Sequence, residues 1–256
     1  MCDMGKNLLS SVFGKREAAP RRGEDPLVTA VVVSAGRSER MRASVSKQFL
    51  PVCDVPVIAR TLSAFEACRT VGEVVVVARL DDMVEIAQLV KEYGFAKVVR
   101  IVPGGRTRQQ SAMAGVRAMN ESTAFVAVHD GARPLVTPAC IDRIVRAAAE
   151  KRAVSAAVRC KDTVKIADEK GAVLSTPDRG RLWNIQTPQV FEKSLYQRAL
   201  ETALEEKADY TDDCQLVEHA GGKVYLEDGE YTNIKITTPE DIAVAEAILR
   251  LRGDAF

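Results

Sequence analysis

Metal-binding and redox groups are scarce in this sequence. It holds only two histidines, His129 and His219, and its six cysteines (Cys2, Cys53, Cys68, Cys140, Cys160 and Cys214) never fall into C-x-x-C spacing. That argues against a cysteine-bound metal and for free thiols in a reducing compartment, the cytoplasm. No apolar run approaches the roughly 18–20 residues that a membrane span requires. Neither G-x-x-x-x-G-K-[ST] nor G-x-G-x-x-G occurs, which weakens the Walker ATPase and dinucleotide oxidoreductase readings. An excess of one charge is missing too. Lysine and arginine number 36 against 35 acids, a net charge of +1. The chain therefore has no global field for nucleic acid or membrane, and any anion site must be local.

A chain of 256 residues is long enough for one large α/β domain, here 27–253, preceded by an extension over 1–26. That extension mixes Lys6, Lys15, Arg16, Arg21 and Arg22 with Gly, Ser and Pro. It reads as flexible or locally helical. LLSSVF is too short for a secretory apolar region, and Asp3, Glu17, Glu24 and Asp25 speak against a transit role.

The stretch from Val28 to Phe49 organises the rest. Val28 to Val33 is an apolar, β-branched run without polar alternation, as expected of a strand buried on both faces of a parallel sheet. Ser34, Ala35 and Gly36 then leave the backbone bare, so that its N–H groups can approach anionic oxygens. Arg37, Arg40, Arg42 and Lys47 follow. Fixed dipoles succeeded by cations suit a nucleoside triphosphate, although a plain strand-to-helix turn with a basic helix start has the same composition.

Strands and helices alternate beyond it. Helical spacing over Pro56 to Ala67 precedes a buried strand over Glu73 to Arg79, a helix over Asp81 to Tyr93 and a short strand over Lys97 to Val102. GGRTRQQS then opens a helix reaching about Met119. Gly104 and Gly105 expose backbone at a strand end, and Ser111 offers a hydroxyl; a glycine turn with capping residues is the bland alternative. Ala124 to Pro134 carries a strand ending in Asp130 and Gly131. Ligands of doubly wound sheets sit at strand carboxyl ends, where a carboxylate can hold Mg²⁺ against phosphate oxygens, or merely cap a turn. His129 points to the opposite face, as packing rather than as a ligand.

After a helix over Pro138 to Lys151 and the strand VSAAVR, the alternation breaks. Thr163 to Pro177 reads as strand, DEKG turn, strand, too polar for a sheet core: a protruding β-arm at about 160–185 whose open edges call for a second subunit. Arg179, Arg181, Trp183 and Thr187 follow it, up to TPQVF. Glu192 to Lys207 is helical, KVYLEDG and NIKIT are strands, and Thr238-Pro239-Glu240-Asp241 starts a last helix. Lys235 on an exposed strand face is ordinarily a solubilising residue.

The order SAGRSERM with SKQF, GGRTRQQS, VHDGARP, KDTVK, DRGRLWNIQTPQ, TDD and NIKITTPED closely resembles that of the 2-C-methyl-D-erythritol 4-phosphate cytidylyltransferases. The resemblance runs from about Val28 to Leu251. It implies a Rossmann-like nucleotidyltransferase domain, α/β with a mostly parallel twisted sheet and a β-arm. It also implies CTP and a polyol phosphate as substrates, Mg²⁺ as cofactor and a homodimer joined through the arm. On this resemblance Ser34, Ala35, Gly36, Gly104, Gly105, Ser111, Asp130 and Gly131 bind the nucleotide, and Asp130 holds the metal. Arg40, Lys47 and Lys235 are the catalytic cations. Arg133, Thr163, Arg179, Thr187 and Thr211 grip the acceptor, with Thr163, Arg179 and Arg133 reaching it from a neighbouring subunit. The chain departs from the family pattern at Ser34 and Ser38, where relatives carry alanine and glycine, and at Arg106, where they carry an acidic or small polar residue. A ribitol 5-phosphate cytidylyltransferase and a nucleotide-binding module without catalysis are the competing readings.

Overall fold

A computed structural model describes residues 26–36 and 46–253. The expected N-terminal extension, together with Arg37, Ser38, Arg40 and Arg42, lies outside the described residues apart from Pro26.

The apolar runs assemble into one sheet. β1 (Leu27–Ser34), β4 (Glu73–Ala78), β5 (Val98–Pro103), β6 (Thr123–Asp130), β7 (Ala153–Arg159), β10 (Trp183–Glu192) and β11 (Tyr225–Asp228) form seven strands in the order β11-β7-β10-β6-β1-β4-β5. All neighbours pair in parallel except β10, which runs antiparallel to both β6 and β7. Strand alternation splits the core into two layers. Val28, Ala30 and Val32 pack with α1 (Val57–Ala67), α2 (Met83–Glu92) and α4 (Pro138–Lys151) on one face. Val31, Val75 and Val77 pack with α3 (Arg108–Arg117), α5 (Lys193–Glu205) and α6 (Asp213–His219) on the other. Both faces are covered, which is why β1 and β4 need no polar residues on alternate positions. The last helix, α7 (Glu240–Arg252), closes a smaller cluster with the β2–β3 hairpin (Pro51–Val52, Val55–Pro56) and Ile236.

Two segments differ from the sequence pattern. NIKIT is not a strand: Ile236 donates one backbone bond to the Ala132 carbonyl at 2.8 Å. The carbonyl of the buried Asn233 is taken by the Arg133 guanidinium at 2.7 Å instead. Side chains, not a ladder, fasten this stretch. Conversely TPQVF belongs to β10, a ten-residue strand whose pairing with β7 breaks between Ile185 and Gln189. Pro188 sits in that break, where no ladder donor is required. The segment expected as an arm holds β8 (Ile166–Ala167) and β9 (Val173–Ser175), two short antiparallel strands exposed at every residue. Among the described residues the five cysteines are free, and no helix is long and apolar enough to cross a membrane.

Candidate active site

The chain goes from β1 to β4 and β5 on one side, then returns to β6 on the other side of β1. This makes the β1–β6 boundary the topological switch point, and a doubly wound sheet opens its ligand crevice there. A cleft of about 620 Å³ occupies that place. It brings together Ser34 at the end of β1, Ala35 and Gly36 after it, Lys47, the 104–105 glycines, Ser111, Asp130 and Lys235. Among the described residues five basic side chains line it (Lys47, Arg79, Arg106, Arg108 and Lys235) against one carboxylate, Asp130. In a chain of net charge +1, this is the local positive field that a polyanion requires.

Close approach shapes the glycine loop. A Cβ on Gly104 would meet Ala35 Cβ at 2.3 Å, and one on Gly105 would meet Gln110 Cβ at 2.3 Å. The two loops therefore touch each other, whereas a Cβ on Gly36 would meet nothing within 4 Å among the described residues. Thr107 caps α3 by accepting from Gln110 N–H at 3.2 Å. Ser111 is committed to this loop: its hydroxyl donates to the Thr107 carbonyl at 2.9 Å and accepts from Gly105 N–H at 3.1 Å. Across the cleft Lys47 Nζ donates to the Ile236 carbonyl at 3.2 Å. Gln48, which the sequence reading passed over, is buried; its amide donates to the Ser34 carbonyl and accepts from the Ser46 hydroxyl.

Asp130 is held by three cations. Its Oδ2 meets Lys235 Nζ at 2.9 Å and Arg133 Nε at 3.4 Å, and its Oδ1 meets Arg108 Nε at 3.5 Å. Burial alone would raise its pKa, but Lys235, Arg108 and Arg133 outweigh it and hold the carboxyl well below the usual carboxylate range. Arg108 was also absent from the sequence reading. Besides Asp130 it reaches Asp213 Oδ2 at 2.6 Å, a partner more than a hundred positions away that no local pattern reveals.

Several expected residues fall elsewhere. Gly131 lies beneath the cleft, where a Cβ would stand 1.9 Å from Ser34 Oγ, and that hydroxyl has no partner among the described residues. Thr187 is buried; its hydroxyl accepts from Asp130 N–H at 3.1 Å and contacts His129 Nδ1 at 3.1 Å, so it steadies the strand end and does not reach the cleft. Arg133 belongs to the Asp130 cluster of its own chain and is not part of the arm. Thr211 is exposed before α6 and bonds Gln215; Arg179 donates to the Lys161 carbonyl at 2.9 Å, and Thr163 is exposed in the arm. None of these last three lines the cleft. Arg40, expected as a catalytic cation, is outside the described residues.

A second concavity of about 400 Å³ lies by the amino ends of β7 and β11, lined by Lys151, Arg152, Arg198 and Lys223. Acids occupy part of its charge, Glu227 on Lys151 and Glu192 on Arg152. The N–H groups of Gly221 and Gly222 are spent on carbonyls of α6. It lacks the free backbone of the switch-point cleft and lies at the wrong end of the sheet for it.

A cation-lined cleft with bare backbone at the switch point of a Rossmann-like sheet defines an enzyme of the nucleotidyltransferase class. The chain belongs to the 2-C-methyl-D-erythritol 4-phosphate cytidylyltransferase family, whose model (IspD) matches residues 28–251. It is 45% identical over 225 residues to the protein of that name from Caldanaerobacter subterraneus subsp. tengcongensis, covering 87% of this chain and 99% of the relative. It is 44% identical to the one from Lachnoclostridium phytofermentans, covering 89% and 98%. The crystal structure of 4-diphosphocytidyl-2C-methyl-D-erythritol synthase from Anaerococcus prevotii superposes with a TM-score of 0.79 at 35% identity, covering 88% of this chain and 96% of that one.

His129 yields a pH prediction. It is fully buried, with its ring against the edge of Phe65 at 5.0 Å, and burial lowers its pKa to about 3. Between about 3 and the unfolded value of about 6.5 the unfolded chain binds a proton that the folded chain does not. Acidification through that window therefore removes stability, by about 2–3 kcal/mol from pH 7 to about pH 4.5. The loss from Asp130, whose pKa is lowered, falls mostly below about pH 4. Urea unfolding of wild type and His129→Gln at the two pH values checks this: the variant should lose less stability, and equal losses would refute the assignment.

Proposed function

We propose that this chain transfers the cytidylyl group of CTP to 2-C-methyl-D-erythritol 4-phosphate, giving 4-diphosphocytidyl-2-C-methyl-D-erythritol and pyrophosphate. The observation that carries the chemistry is the five-to-one excess of basic side chains among the described residues of the cleft, set beside the backbone of Gly36. A phosphate oxygen of the acceptor attacks the α-phosphorus, its bond forms as the bond to the bridging oxygen breaks, and pyrophosphate leaves with the electron pair. Charge builds on the oxygens around that phosphorus, and preorganised cations lower the barrier most when aimed there. Lys47 and Arg40 take that role, and Lys235 lies against the phosphates beside Asp130. Family membership selects the acceptor over ribitol 5-phosphate, and the presence together of Arg40, Lys47, Asp130 and Lys235 speaks against a module that only binds.

Mg²⁺ fits the donor set as a guest of the substrate. Asp130 is a hard oxygen ligand kept ionised, and among the described residues no group of three or more His, Cys, Asp or Glu stands ready for a metal. A cation that keeps most of its water and takes phosphate oxygens as ligands is compatible with one carboxylate. When bound there it would neutralise triphosphate charge.

The arm supports a homodimer. Ile166, Val173 and Leu174 are apolar yet 49%, 59% and 66% exposed. Thr163 and Arg179, which the family resemblance assigns to the acceptor, do not line the cleft of their own chain. An arm laid over a second copy covers the first group and delivers the second. The free thiols accord with a cytoplasmic setting.

Three measurements test this reading. Pyrophosphate release with CTP should favour 2-C-methyl-D-erythritol 4-phosphate over ribitol 5-phosphate by at least about tenfold in kcat/KM, in the range that pocket fit alone supplies; equal or inverted values would move the assignment to the ribitol enzyme. Lys47→Ala should lower kcat roughly 10²–10³-fold with a smaller change in CTP affinity, and an unchanged kcat would remove Lys47 from the mechanism. Sedimentation should show a dimer, and deletion of the 166–175 hairpin should yield a folded, inactive monomer; a fully active monomer would sink the arm's role.

A further inference from the structure

Behind the cleft wall lies a buried polar pair that the proposed reaction does not use. Tyr196 on α5 is fully buried, stacked on Phe191 with ring centroids 4.9 Å apart, and its hydroxyl donates to Asp213 Oδ1 at 2.6 Å. The other oxygen of Asp213 meets Arg108 NH1 at 2.6 Å. Among the described residues that oxygen has no well-aligned hydrogen-bond partner, so the contact is one of charge at short range. The Asp213 side chain is 3% exposed and that of Arg108 25%: the guanidinium reaches the cleft while its counter-ion stays inside.

The platform is built from several elements. Asp213 N–H donates to Gln189 Oε1 at 3.1 Å, which ties α6 to β10. Gln109, next to Arg108, donates to the Ala208 carbonyl at 3.0 Å and accepts from Tyr210 N–H at 3.1 Å. The segment before α6 is thereby registered against the first turn of α3. An arginine on a mobile surface samples many rotamers, whereas one held at a buried carboxylate presents the rest of its planar fork in one direction.

We propose that the buried Tyr196–Asp213 pair is a positioning unit that fixes Arg108 as a phosphate-contacting cation of the cleft, so that Arg108 touches the triphosphate and Tyr196 and Asp213 act only through it. Burial disfavours a charged guanidinium, but Asp213 and Asp130 outweigh it, and Arg108 stays charged throughout. Asp130 is shared with Lys235 and Arg133, so Asp213 alone keeps Arg108 in place when phosphate oxygens compete for its fork. The assignment rests on the nucleotidyltransferase reading above.

The test is a double-mutant cycle on kcat/KM for CTP, with melting temperatures measured alongside. Arg108→Ala should lower kcat/KM roughly 10²–10³-fold, the loss typical of one preorganised donor. Tyr196→Phe keeps the stacked ring and removes only the hydroxyl; it should cost about tenfold in the wild-type background and nothing further in Arg108→Ala. Where Arg108→Ala fails to fold because Asp213 is left unpaired, Arg108→Lys takes its place in the cycle, since it keeps a charge beside Asp213 but loses the fork. Multiplying losses, or a Tyr196→Phe enzyme that melts lower yet keeps kcat/KM within twofold, would reduce the pair to a packing role and overturn the proposal. Wild-type turnover is measured first: an inactive wild type counts against the function itself, an active one with unaffected variants against this inference alone.

Discussion

One buried carboxylate organises the cleft. Asp130 closes β6 and draws Arg108, Arg133 and Lys235 onto its two oxygens. An isolated carboxylate at that depth would take up a proton, and three cations without it would repel one another. Together they make a stable arrangement whose members come from three distant parts of the chain. The dependence extends to the backbone. The stretch from Asn233 to Thr237 has no ladder, and it is pinned by Lys235 on Asp130, Arg133 on the Asn233 carbonyl, and Asn233 Nδ2 on the Thr187 carbonyl at 2.8 Å. The same segment carries Lys235, and its Ile236 carbonyl accepts from Lys47.

Topology explains why that carboxylate stands opposite a bare loop. β1 and β6 are adjacent and parallel, with Val33 aligned to Asp130, so Ser34 to Gly36 and Asp130 leave the sheet at the same edge and at the same height. The connections diverge there, and a doubly wound sheet opens its crevice at such a point. The close approach of Ala35 to Gly104 shows that the two loops brace each other at this edge.

What could be read from the residues and what could not divide along a physical line. The parallel strands were legible because burial on both faces leaves an unbroken β-branched run, and Asp130 because a charged residue at the end of such a run needs a reason. β10 was hidden because its sequence is polar and contains Pro188. Its amides are satisfied by tertiary partners, Gln186 with the Glu230 backbone and Gln189 with Asp212 and Asp213. NIKIT misled in the opposite way: its alternation is that of a strand, yet its backbone groups are claimed by side chains. Arg108 escaped notice because its significance lies in Asp213, and in the sequence GGRTRQQS it is indistinguishable from Arg106, which is exposed and meets no acid among the described residues. Local pattern reports burial and backbone freedom; it does not report which distant charge a side chain will find.

The cluster also sets stability against readiness for the ligand. Burying ions costs desolvation energy that their mutual attraction barely repays, and a well-packed apolar substitute is often the more stable choice. Folding alone therefore gives little reason for Asp213, Arg108, Asp130, Arg133 and Lys235 to be gathered here. A triphosphate changes the sum, because it brings several negative charges to a cleft whose described lining holds a single carboxylate. The same low dielectric that made the charges expensive then strengthens each contact to a phosphate oxygen, with no reorganisation left to perform at the moment of transfer. On this view the internal carboxylates hold the cations in the absence of substrate. Tyr196 and Gln189 bind Asp213, and Asn233 binds the Thr187 carbonyl, which satisfies part of the polar surroundings.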